Sequence, residues 1–207
     1  MSTAIAFLAS LTIFLRPSDS RYLRYFSFFL LLVSVVEGIE NYEAIVKIDN
    51  TLLSNLSTII EFSFYLYVFR EIVYGRRAKK VFLYLALTYP LIALLNVFLI
   101  QRNGFHTVTY ALGCLLIIGG CIYYFLELFQ RPSSVNLGRQ PSFWICCGLL
   151  FYYTCTFPLY GAVNMVKLFP NVILRNLLYI LVLLNILLYL SFTIAFLCRL
   201  KTRRSTS

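Results

Sequence analysis

Charge is what this chain has least of. Asp, Glu, Lys and Arg together make up 13% of its 207 residues, about half the share of a soluble domain, which excludes an ordinary water-facing surface. What charge there is leans one way, with 18 Lys and Arg against 8 Asp and Glu. In a soluble protein that excess would point to nucleic acid. Here the basic residues gather at the ends of apolar runs, where membrane topology requires them, so no nucleic acid is expected to bind directly. There is one histidine, His106, and no CxxC, HExxH or Cys/His ligand spacing, so no metal is expected. The six cysteines, Cys114, Cys121, Cys146, Cys147, Cys155 and Cys198, fall within or at the end of apolar segments and read as small buried hydrophobes rather than disulfides. No glycine-rich phosphate loop and no serine in a nucleophile elbow occur. The last apolar segment has no lysine to carry a retinal Schiff base, and no cofactor is expected. No basic region precedes the first apolar run and no small-residue cleavage site follows it, which reads as a retained first span rather than a signal peptide. No repeat of helix pairs or triplets is found, which weighs against an inverted-repeat transporter.

What is abundant is apolar surface: 60% of the residues are hydrophobic and the mean hydropathy is +0.81. Nothing is left over for a soluble domain, so residues 1–207 are read as one transmembrane helical domain. Apolar segments run over about 3–15, 22–39, 52–69, 80–100, 106–128, 142–163 and 173–198; the first is short for a span. Basic residues collect in every second connection: Arg16, Arg21 and Arg24; Arg70, Arg76, Arg77, Lys79 and Lys80; Arg131 and Arg139; then Arg199, Lys201, Arg203 and Arg204 at the end. The expectation is an all-α, multi-pass membrane protein of seven helices, N-terminus outside and C-terminus cytoplasmic. The outer connection after the second segment collects Glu37, Glu40, Glu43 and Asp49 instead, an acidic rim able to attract cations, although such carboxylates near a periplasmic surface are usually just solvated.

Glu61 stands near the middle of the third segment, where a carboxyl costs ~2.5–3.5 kcal/mol on insertion scales and is by default functional. Ser54, Thr58, Glu61 and Tyr65 share one helical face by their three-to-four spacing. Placed by depth, Glu37, Asn55, Thr58, Glu61, Asn96, Gln101, His106, Thr109, Tyr110, Asn164, Asn176 and Asn185 put polar groups in the outer halves of several segments, which points to a cavity open to the outside. The opposing explanation is that the amides are interhelical glue worth ~0.6 kcal/mol each. Asn96, on the following segment, is the expected hydrogen-bond partner of Glu61. If His106 lies near Glu37 or Glu61, the pair forms either a proton-sensitive switch or an acid/base couple. In the sixth segment Pro141 suits a helix start, Trp144 an interface anchor and Pro158 a kink near the outer end.

The stretches STIIEFSFYLYVFR, NVFLIQRNGFHTVTYALG and ELF…PSFWICCGLLFYY resemble a family of small, uncharacterised seven-span bacterial membrane proteins. The residues that carry the resemblance are Glu61, Phe62, Asn96, Gln101, Phe105, His106, Thr107, Tyr110, Gly113, Pro141, Trp144, Gly148 and Phe151; Cys146 and Cys147 depart from it, standing where small hydroxyl residues are expected. The resemblance implies an inner-membrane location and, because some members are encoded beside sensor histidine kinases, a histidine kinase as the kind of partner. Three functional readings follow: a non-enzymatic membrane-embedded sensor or signalling partner, an intramembrane enzyme acting on a lipid or lipid-linked substrate through Glu61, His106 and Glu37, and an accessory membrane subunit of an operon-encoded complex such as a defence system.

Overall fold

A chain this apolar satisfies its backbone in lipid by winding into helices, and the described residues contain helix and no strand. The computed structural model describes residues 2–11, 21–46, 50–101, 104–130, 137–163 and 171–202. The described residues form seven α-helices: α1 (Ser2–Ser10), α2 (Arg21–Val46), α3 (Thr51–Ile72), α4 (Arg76–Leu95), α5 (Thr107–Phe129), α6 (Pro141–Val163) and α7 (Asn171–Thr202). Six, α2 to α7, are long and apolar enough to cross a membrane. The expected first span is represented by α1, whose nine residues reach only ~14 Å at ~1.5 Å each, about half of a ~30 Å hydrocarbon layer; residues 12–15 of that segment lie outside the described residues. Pro141 opens α6 as expected, where its missing N–H costs nothing, and α6 continues through Pro158 to Val163. After α4 the chain makes one π-helical turn, Asn96–Ile100.

Helix α3 is the centre of the packing, touching α2, α4 and α5, while α1 sits against α2 and α7, and α6 against α5 and α7. The core is built from rings. Phe26 packs edge-on against Phe29, Phe64, Phe192 and Phe196, and Phe29 stacks on Phe64 at 4.1 Å. Large apolar side chains also point outward, Leu99 and Phe129 being 70% and 67% exposed. Spread over a whole helical surface, such exposure fits lipid as the solvent.

Two glycines on α5 set how closely α3 approaches. A Cβ on Gly113 would stand 2.7 Å from the Phe62 ring, and one on Gly120 would stand 2.8 Å from the Phe69 ring. Phe62 and Phe69 therefore sit where no side chain larger than hydrogen fits opposite them, the small-residue logic of membrane helix interfaces. At the end of α3 the turn to α4 is held from a third helix. Glu127 of α5 accepts the backbone N–H of Tyr74 (2.8 Å) and of Gly75 (2.7 Å). These donors precede α4, so an anion from α5 satisfies them beside the exposed Arg76, Arg77, Lys79 and Lys80. Nearby, Trp144 donates its indole N–H to Gly138 O at 3.0 Å, an anchor for the short turn before α6.

Candidate functional site

The sequence of α3 presents Ser54, Thr58 and Glu61 along one face, and in the fold that face forms one wall of a cavity of about 320 Å³. Ser57 joins them. The opposite walls come from α2, which contributes Glu37 and Glu40; from α7, with Asn185 and Tyr189; and from α6, with Tyr152 and Tyr160. Phe105, from the link before α5, also lines it.

Three carboxylates thus border one space, and each accepts from at least one hydroxyl. Glu61 accepts on Oε1 from Tyr65 one turn along α3 (2.9 Å) and from Tyr153 of α6 (3.2 Å). Glu37 accepts from Thr3 of α1 at 2.7 Å and from Tyr189 of α7 at 3.4 Å. Ser54 donates to Glu40 at 2.8 Å. Tyrosine suits this work at mid-membrane, since its ring packs as a hydrophobe while its hydroxyl satisfies a polar partner. Seen from the carboxylates, α1 belongs to the site too, because Thr3 fixes Glu37.

The expected partnership of Glu61 with Asn96 does not form. Asn96 donates to Gln101 (2.8 Å) and Thr109 (3.2 Å), Gln101 to Thr107 (3.3 Å), and Tyr89 to the Thr109 carbonyl (3.2 Å). The reason is depth. Counted from the α3–α4 turn at ~1.5 Å per residue, Asn96 stands roughly 30 Å along α4, whereas Glu61 stands only ~17 Å back along α3. The Asn96 cluster is a hydrogen-bonded clasp between the end of α4 and the start of α5.

His106 is also placed elsewhere. Asn55 of α3 donates from Nδ2 to the Gly104 carbonyl (3.1 Å), while its Oδ1 accepts the His106 backbone N–H (3.2 Å) and lies 2.7 Å from His106 Nδ1. The two backbone contacts fix which end of the amide is oxygen. An amide oxygen only accepts, so Nδ1 carries the imidazole proton. The ring is fully buried, and Nε2 has no hydrogen-bond partner among the described residues. His106 does not line the cavity; its neighbour Phe105 does.

Of the residues expected around one cavity, Glu37, Thr58, Glu61 and Asn185 are brought together there. Asn55, His106, Asn96, Gln101 and Thr109 are spent on the two clasps just described, and Tyr110 packs against Phe62, Phe105 and Tyr160. Asn176 is exposed and is not part of the cavity lining, and Asn164 lies outside the described residues. Sequence reasoning passed over Glu40, Ser54, Ser57, Tyr152, Tyr153, Tyr160 and Tyr189 as site residues. A signal existed for the first two: Glu37 and Glu40 lie three apart on one helix, and Ser54 shares the face of Glu61. The tyrosines gave none in a chain with 16 of them. No group of three or more His, Cys, Asp or Glu able to hold a metal ion occurs among the described residues. No family model, curated protein or solved structure matches this chain.

Proposed function

We propose that the protein is a membrane-embedded sensor or signalling partner subunit whose ligand enters the carboxylate-lined cavity from the periplasmic side. The protein then crosses a bacterial inner membrane with its N-terminus outside and its C-terminus cytoplasmic. The observation that carries this reading is the cavity itself, with Glu61 halfway along α3 and Glu37 and Glu40 on the facing helix. Its polar lining is out of place in a bundle that only needs to pack. At the other end of α3, the exposed Arg76, Arg77, Lys79 and Lys80 offer a face for anionic headgroups and for a cytoplasmic partner such as a histidine kinase. The lipid-enzyme reading is weakened, because its acid/base set loses His106 to Asn55 and keeps only the two carboxyls.

The test combines orientation with partner capture. A reporter fused after Ser207 is expected to be active only in the cytoplasm, and one inserted beside Glu43 only outside. Photo-crosslinking residues at Arg24 and Arg77 in the native host are expected to trap a signalling protein. Glu61→Gln is expected to alter the yield at Arg24 relative to Arg77 while leaving protein level unchanged. Reversed reporters, or adducts to lipid alone, would remove the reading.

A further inference from the structure

We infer that the ligand of this cavity is an organic ammonium ion. The inference rests on the reading of the cavity as a ligand site and adds the chemical class that fills it. Among the described residues the lining holds three carboxyl groups and no Lys, Arg or His, a set that favours a cation in a low-dielectric setting. The carboxylates come from two different helices and do not gather into a group able to hold a metal ion among the described residues. A compact metal ion therefore fits poorly, and an extended cation that meets more than one carboxylate fits well. The remaining walls supply the second half of ammonium recognition. Phe105, Tyr152, Tyr160 and Tyr189 line the same space, and aromatic faces attract ammonium groups, most strongly where water is excluded.

Glu61 is poised for such a contact. Both tyrosine hydroxyls converge on Oε1, so Oε2 of this cavity-lining residue makes no hydrogen bond within the described residues. At about 320 Å³ the space is in the lower range of small-molecule sites. One wall residue, Leu32 of α2, is shared with an apolar groove on the outer surface between α2 and α3, formed with Phe28, Phe29, Ile60 and Phe64. An alkyl chain attached to the ammonium group would leave past Leu32 toward that seam. The ammonium therefore has two sources to distinguish, a soluble amine and an aminolipid headgroup.

The experiment uses the full chain carrying Ser57→Cys, reconstituted in phosphatidylglycerol nanodiscs, with maleimide labelling of position 57 read at the peptide level. Two probes of equal length are compared, 1,6-diaminohexane and 1,6-hexanediol. The diamine is expected to protect position 57 at least tenfold more effectively than the diol, and Glu61→Gln added to the same chain is expected to erase the difference. Protection by phosphatidylethanolamine nanodiscs without added amine would assign the ammonium to lipid; protection by the diamine alone would assign it to a soluble compound. Equal protection by diol and diamine would overturn the ammonium class and leave the cavity as a ligand site. If neither the diamine nor phosphatidylethanolamine protects, the inference falls. The sensor reading is then judged separately, by whether Glu61→Gln still shifts crosslinking at Arg24. A second label site, Thr58→Cys, guards against a local effect of the Ser57 change.

Discussion

The hydroxyl of Tyr153, on α6, reaches across to the carboxylate of Glu61 on α3 at 3.2 Å, although the two residues are 92 apart in sequence. With Tyr65 on the same oxygen at 2.9 Å, Glu61 is an acceptor for two buried donors before it is anything else. Glu61→Gln keeps an acceptor oxygen and is expected to unfold in detergent close to the native temperature. Glu61→Leu strands both hydroxyls and is expected to lose about 1–3 kcal/mol for each. Tyr153→Phe removes one bond cleanly and is expected to cost about 0.5–1.5 kcal/mol. Thermal unfolding of the three variants side by side checks the ranking, and native-like stability of the Leu variant would contradict it.

Asn55 satisfies three groups on residues 104 and 106 at once. Asn55→Ala leaves buried partners unmet and is expected to destabilise by at least about 1–3 kcal/mol. Asn55→Asp retains the acceptor for both His106 donors and forfeits only the bond to Gly104, so it should fall between Ala and wild type in the same unfolding assay. An Asp variant as weak as the Ala variant would mean that the Gly104 contact dominates.

The glycines opposite Phe62 and Phe69 leave no room for a methyl group. Gly113→Ala and Gly120→Ala are each expected to destabilise by about 1–3 kcal/mol through overpacking, whereas Gly119→Ala, with open space around it, is expected to be neutral or mildly stabilising on helix propensity. The contrast between Gly119 and Gly120, adjacent in sequence, is the discriminating measurement.

Glu127→Gln has one acceptor oxygen to offer two backbone donors. Amide hydrogen exchange at Tyr74 and Gly75 is expected to quicken by roughly tenfold, the equivalent of about 1.4 kcal/mol, with little change along the middle of α3. Exchange that rises all along α3 would mean instead that Glu127 supports the whole helix.

The long helices were legible because lipid imposes a hydropathy pattern that tertiary contacts cannot override. Glu61 stood out for the same reason, as a carboxyl at a depth where one is costly. Its surroundings were less legible. Depth along a helix can be counted, and counting it would have separated Asn96 from Glu61. Rotation about the helix axis cannot be read without knowing which neighbours pack where. That is why His106 turned out to face Asn55 and why Glu40, read as a solvated rim residue, borders the cavity. The tyrosine donors stayed hidden because their rings look the same in sequence whether the hydroxyl works or not.

The interlock of Phe62 and Phe69 with Gly113 and Gly120 repeats every seven residues on both helices. Sliding α3 along α5 to the next fit would take a step of ~10 Å at ~1.5 Å per residue, so the two contacts hold the pair in one register. Glu127 clamps its far end in addition. Glu61 therefore stands on a helix whose register against α5 is set at two points and whose end is tied by Glu127.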